Sequence, residues 1–157
     1  NKTIEVLNTD AEGRLIMADA LAYASEHKTD LICDVATLTG ASYVALGLDI
    51  GAVFSNDDET LSNYLSANKN SHEKYHNLPL EESYKPLIKS VIADMKNTGG
   101  RFGGAITAAL LLEEFVDDIK WIHLDIAGPA RNQDSKSATG FGTIGLYNFF
   151  ESFTKSL

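Results

Sequence analysis

Asp10 and Glu12 stand two residues apart in a short polar stretch, 8–14, and are followed at once by Gly13 and Arg14. An extended exit loop turns side chains at i and i+2 to the same side. The two carboxylates then converge as hard oxygen ligands suited to Mg²⁺, Mn²⁺ or Zn²⁺. Gly13 frees the backbone for a sharp turn, and Arg14 sets a fixed cation beside the pair. An anionic transition state could be held between metal on one side and guanidinium on the other. The same residues also read as an ordinary helix start, with Thr9 or Asp10 as N-cap and Glu12 or Glu5 as surface charge.

Other chemistry-bearing residues are more scattered. His123 and Asp125 alternate in the apolar run 121–126. That spacing admits a carboxylate–imidazole metal site, but the favoured reading is buried polar groups that hydrogen-bond within the fold. Asp34 is a lone acid in the apolar run 31–35 and calls for a neighbouring partner; Cys33 has no nearby His or Asn pattern and reads as core. Gly99 and Gly104 have the spacing of the two glycines in a Walker A loop, yet Ala105 and Ile106 occupy the places of its Lys and Ser/Thr. A tight loop with close helix packing is the better account. No G-x-S-x-G elbow is present.

The elements that must position these residues follow from periodicity and turn signals. A strand is expected over 3–7 with Ile4 and Val6 on one face, then a helix over 15–24 with Leu15, Ala18, Leu21 and Ala22 as its apolar stripe. A strand over 30–36, a turn at 37–40 and a short helix over 41–47 come next. They are followed by a strand over 51–55 and a helix over 57–69 capped by Asn56 or Asp57. The stretch 69–86, with mixed charge and two prolines, reads as a surface excursion. The glycine loop 99–104 feeds a helix over 105–115, then come a strand over 121–126, a small-residue loop over 127–142 and an amphipathic helix over 144–153. Strand and helix alternate, which predicts an α/β fold. Such sheets place ligands beyond the carboxyl ends of their strands. The chemistry is therefore expected on 8–14, 37–40 and 127–128.

Composition narrows the partners. The 157 residues carry 13 Lys+Arg against 22 Asp+Glu, a net charge of −9, and most of the acid excess lies in residues 1–60. Clustered basic residues for phosphate contacts are missing, so nucleic acid is not expected as a partner. No apolar run of ~18 residues suggests a membrane-spanning helix, and no membrane partner is expected. Apolar residues make up 44% of the chain, enough for a real core in one domain. The single Cys33 cannot form an intrachain disulfide, which fits a reducing compartment.

The run Asn8-Thr9-Asp10-Ala11-Glu12-Gly13-Arg14-Leu15 closely resembles the signature of the leucyl aminopeptidase family, the cytosolic two-metal aminopeptidases. Further blocks resemble that family in the expected order: 34–41, 97–109, 123–128 and 138–140. The resemblance thus covers essentially the whole chain. It implies that Asp10 and Glu12 bind paired divalent ions, Zn²⁺ or Mn²⁺ with Mg²⁺ also admitted, and that Arg14 holds a bicarbonate or the oxyanion-bearing intermediate. Thr37, Leu38 and Gly40 match a turn whose backbone contacts the substrate, and Ala127 lies near the matching wall of the side-chain pocket. His123 matches no ligand. The implied reaction is metal-assisted hydrolysis of peptides, water adding to the first peptide carbonyl while the free α-amine is held. A cytoplasmic homo-hexamer is implied as well.

The departures from the family shape the expectation further. The family's remaining ligands, two aspartates and a lysine, and a second catalytic lysine come from a glycine- and lysine-rich segment upstream of the signature, which these 157 residues do not contain. Residues 1–157 are therefore expected to be the carboxyl-terminal portion of a leucyl aminopeptidase catalytic domain. The expected fold is a partial three-layer α/β/α domain with a mixed sheet, incomplete at its amino end. By itself this portion is expected to be inactive and to bind metal weakly. The alternative is a non-catalytic assembly or regulatory module derived from the same fold.

Overall fold

The computed structural model describes residues 2–154. Its central sheet has four strands in the order β2 (Leu31–Ala36), β6 (Lys120–Asp125), β3 (Ile50–Ser55) and β4 (Lys74–Asn77). β2 and β6 run parallel, as do β3 and β4, while β3 is antiparallel to β6, so the sheet is mixed. A separate two-residue ladder pairs β1 (Ile4–Glu5) with β5 (Met95–Lys96) in parallel.

Strand alternation sorts the side chains into two cores. On one face Ile32, Ala52, Phe54 and Trp121 meet Leu21 of α1 (Gly13–Glu26) and Leu110, Leu111 and Leu112 of α4 (Gly104–Glu113). On the other, Val53, Ile122 and Leu124 meet Tyr64 of α3 (Asp58–Ala67) and Phe149 of α5 (Thr143–Thr154). The short α2 (Gly40–Leu46) packs beside α4. The result is the three-layer α/β/α arrangement. α4 is buried almost throughout, from Thr107 to Leu112, as a helix that is apolar on every side must be.

Caps refine the expected boundaries. Asp57, not Asn56, caps α3, its Oδ1 accepting the Thr60 N–H at 2.8 Å. Asn56 instead bridges strands: its Nδ2 donates to Ile119 O and its Oδ1 accepts the Trp121 N–H. Gly99 serves close packing, since a Cβ there would lie 2.6 Å from Thr107 Cγ2. The loop 99–104 is thus the tight helix entry that its missing lysine implied.

Two expectations require correction. The first strand is only Ile4–Glu5, and Val6 and Leu7 are exposed instead of continuing it. Its backbone leaves the ladder after Glu5 because Asn97 captures the following residues. The stretch 69–86 is no mere excursion. It contributes β4 to the sheet edge, and Glu73 just before it is 8% exposed. The Glu73 carboxylate accepts the N–H groups of Gly142 at 3.0 Å and Gly145 at 2.6 Å, and the Tyr75 hydroxyl at 2.6 Å. It anchors the start of α5, where unsatisfied amides favour an anion.

Candidate active site at three strand exits

The loop after β1 forms a 3-10 turn, Thr9–Ala11, capped by Asn8, whose Oδ1 accepts the Asp10 N–H at 2.9 Å. Glu12 precedes α1 without making a side-chain cap. The capping role expected of Thr9 or Asp10 is therefore not filled by either, and Asn8 caps the preceding turn instead. Asp10 and Glu12 are exposed, and neither carboxylate has a hydrogen-bond or ion-pair partner among the described residues. Unengaged carboxylate oxygens on a tightly held turn are chemically suited to hard divalent ions. The residues present fit such ions as part of a ligand set. Among the described residues, no group of three or more His, Cys, Asp and Glu side chains converges as a candidate metal centre.

Asn97 holds this loop in place. It is fully buried at the end of β5, and its Oδ1 accepts the N–H groups of Leu7 at 2.9 Å and Asn8 at 3.2 Å. Its Nδ2 donates to Asn8 O at 2.7 Å, and its own N–H donates to Glu5 O at 2.9 Å. One amide side chain thus mimics a strand partner for the backbone just before Asp10. Arg14 closes the arrangement, donating from Nη1 to Asn97 O at 2.9 Å. Its Nε is buried with no partner among the described residues. Burial pushes the Arg14 pKa down from its ordinary value, and the nearby charge of Asp125 pulls it back up.

The second and third exits meet at Asp125, the last residue of β6, which is 1% exposed. Its carboxylate accepts the N–H groups of Leu38 at 3.0 Å and Ala127 at 3.2 Å, and the Thr39 hydroxyl at 2.6 Å. Thr39 in turn caps α2, accepting the Ser42 N–H at 3.0 Å. Thr37, Leu38 and Gly40 are thereby brought to the same end of the sheet as Ala127. Just past Ala127 the chain packs tightly on the carboxyl end of α2, where a Cβ on Gly128 would fall 2.1 Å from Gly47 O. The first exit joins them, because a Cβ on Gly13 would sit 3.5 Å from Leu38 Cδ1.

His123 and Asp125 do not share a site. His123 Nδ1 lies 2.5 Å from Asp34 Oδ1, and Trp121 Nε1 donates to Asp34 Oδ2 at 2.6 Å. The His123 ring packs between Phe54 and Trp121, with centroids 5.7 and 5.8 Å away. The buried polar network expected for this strand is what forms, and Asp34 finds its neighbours there.

Cys33 is half-buried, and its thiol is pushed up to about 12, first by burial and then by the Asp34 charge. At pH 8 the folded chain should hold a thiolate fraction of only ~10⁻⁴. Its reaction with a disulfide reagent should therefore be at least about 100-fold slower than in urea-unfolded chain. Equal rates, followed by thionitrobenzoate release, would refute this.

Sequence reasoning missed Asn97 and did not give Asp125 its place at the turn. The available signal was that both fall within family-like blocks, 97–109 and 123–128.

The strand exits of a three-layer α/β/α domain, carrying two unengaged carboxylates and a half-buried arginine, define a class: an α/β domain with a metal-suited acidic site. The chain belongs to the cytosol aminopeptidase family; the model of that family's catalytic domain matches residues 1–147. It is 49% identical over 156 residues to chloroplastic leucine aminopeptidase 2 of Arabidopsis thaliana, covering 99% of this chain and 27% of that protein. It is 53% identical to a probable cytosol aminopeptidase of Prochlorococcus marinus strain AS9601, covering 96% of this chain and 32% of that one. Among solved structures, a mutant of tomato leucine aminopeptidase matches with a TM-score of 0.92 and 49% identity, over 95% of this chain and 30% of that chain. A bottromycin maturation enzyme matches with a TM-score of 0.94 and 38% identity, over 98% and 36%. The chain thus spans about a third of the length of these relatives.

Proposed function

We propose that the protein carrying this chain is a two-metal aminopeptidase that releases amino-terminal residues such as leucine from peptides. Residues 1–157 form the carboxyl-terminal portion of its catalytic domain. The observation that carries this reading is the pair of exposed, unengaged carboxylates on a loop fixed by Asn97 beside Arg14, in a chain about half identical to leucine aminopeptidases. Asp10 and Glu12 would hold the divalent ions, Zn²⁺ or Mn²⁺ with Mg²⁺ accommodated. Bound there, such ions polarise a peptide carbonyl and ease deprotonation of water.

The chain's own residues do the rest. Arg14 keeps a partly desolvated guanidinium anchored through Nη1, so its other donors can meet a bicarbonate or the oxyanion of a tetrahedral intermediate. The turn bearing Thr37, Leu38 and Gly40 orients the substrate backbone, and Ala127 walls the pocket of the first side chain. These groups sit on rigid strand ends, which limits the reorganisation needed as charge develops. Peptides as substrates, a hexameric assembly and a cytoplasmic location belong to the same proposal. The Prochlorococcus relative is named a cytosol aminopeptidase, the Arabidopsis one is chloroplastic.

The test compares full-length protein with the isolated 157 residues. Full-length protein should hydrolyse Leu-p-nitroanilide with Zn²⁺ or Mn²⁺ and lose activity to a chelator. The isolated chain should show no metal-dependent release and only weak metal binding by calorimetry. Full-length protein inert with every ion tried overturns the enzyme reading in favour of a non-catalytic module. An active isolated chain overturns the claim that it holds only part of the site.

A further inference from the structure

Two carboxylates lie on the same face of the sheet, Asp125 buried and Asp34 partly so, and they are satisfied in different ways. Asp34 on β2 stands opposite His123 in the register, and among the described residues its carboxylate bonds to Trp121 and His123, both residues of β6. Asp125 stands opposite Ala36, at the last pair of the same ladder, where both strands leave the sheet. Its three acceptor contacts all go to those departing segments: Leu38 and Thr39 after β2, and Ala127 after β6. Its charge also reaches Arg14, from the first exit. A buried carboxylate is tolerated only when its lone pairs are filled. Here the groups that fill them lie on the two segments, 37–40 and 126–127, that carry the proposed substrate-binding turn and pocket wall.

We propose that Asp125 is the positioning residue of the site. It sets where the 37–40 turn and the Ala127 wall stand relative to Arg14, and through them which amino-terminal side chain is accepted. This rests on the aminopeptidase reading for its kinetic consequences, though not for its structural ones. Both oxygens are committed: Oδ1 joins Leu38 to Ala127 across the two strands, and Oδ2 takes the Thr39 hydroxyl. Asn at this place keeps the volume and Oδ1 but points an NH₂ at the Thr39 hydroxyl. Two donors would then face each other, and the buried Thr39 O–H would lose the carboxylate oxygen it donates to. The turn must shift to relieve the mismatch, and displacements near 1 Å at a reacting geometry are costly.

The experiment places Asp125→Asn and Asp34→Asn separately in the full-length protein. It reads kcat and KM on Leu- and Ala-p-nitroanilide, hydrogen exchange over residues 37–42 and 126–130, and thermal unfolding. Asp125→Asn should lower kcat/KM on the leucine substrate by about 30-fold. It should also change the leucine-to-alanine preference by at least about 5-fold, and speed exchange at both exits. Asp34→Asn should lower the melting temperature while leaving the preference and the exchange at the exits unchanged. Thr39→Val, which removes the hydroxyl bond to Oδ2, should move preference and exchange in the same direction more weakly, and it carries the test if Asp125→Asn does not fold. Unchanged exit exchange in Asp125→Asn overturns the proposal, as does a preference shift equal in Asp34→Asn. A wild-type protein that turns over neither substrate overturns the aminopeptidase reading instead, and the exchange measurement still decides the role of Asp125.

Discussion

Asp10→Ala and Glu12→Ala, each made in the full-length protein, should lower turnover of Leu-p-nitroanilide by about 1000-fold or more, because loss of a metal ligand removes several kcal/mol of transition-state stabilisation. Bound metal, measured by elemental analysis, should fall with activity. Stability should hardly move. Both side chains are exposed and make no bond to the described residues, so the folded state loses no contact with them. Surface changes of this kind stay within about 0.5 kcal/mol. Unchanged turnover together with unchanged metal content in either variant would remove that residue from the site.

Asn97→Ala should act in the opposite way, through the fold first. The substitution strips the Leu7 and Asn8 N–H groups and the Asn8 carbonyl of their partner at the partly buried contact with Asn97. Three hydrogen bonds are lost at about 1 kcal/mol each, so a loss of about 3 kcal/mol is expected. The loop that carries Asp10 and Glu12 then loses its anchor, and metal affinity should drop about 10- to 100-fold, as for other residues that orient ligands. Asn97→Asp separates the two effects. It keeps an acceptor for the Leu7 and Asn8 amides but sets a carboxylate oxygen against Asn8 O, where the wild-type amide donates at 2.7 Å. A variant of either kind with wild-type stability and metal content would show that the loop holds its shape without Asn97.

The contrast between these two predictions reflects what kind of information each residue carries. Asp10, Glu12 and Arg14 lie within five consecutive positions, so their nearness is legible in the chain itself, although the stretch expected to be extended forms a 3-10 turn over Thr9–Ala11. The long elements were equally legible. β2 and β6 are short, largely apolar segments broken by Asp34 in one and by His123 and Asp125 in the other, and α1 and α4 are rich in Ala and Leu, so pattern and length identify them without tertiary help. The two-residue strands β1 and β5 have no period to detect, and they exist only because their backbones pair across the chain. β4 carries Lys74 and His76 on its exposed side and bonds on one edge, which left its pattern looking like loop.

By itself, then, the sequence determined the chemical inventory and the alternation of strand and helix. It placed two carboxylates and a cation on one turn, a glycine-tight helix entry without a phosphate-binding lysine, and an acid excess in the first 60 residues. Only the tertiary structure decided how these parts hold one another. Asn97 reaches the loop 89 positions away, Asp125 reaches Leu38 across 87, and Glu73 meets Gly145 across 72. The reason is physical. A buried polar side chain must fill its hydrogen bonds, but which distant backbone fills them depends on strand order and register. The 3.6- and 2-residue periods of a sequence do not encode that order.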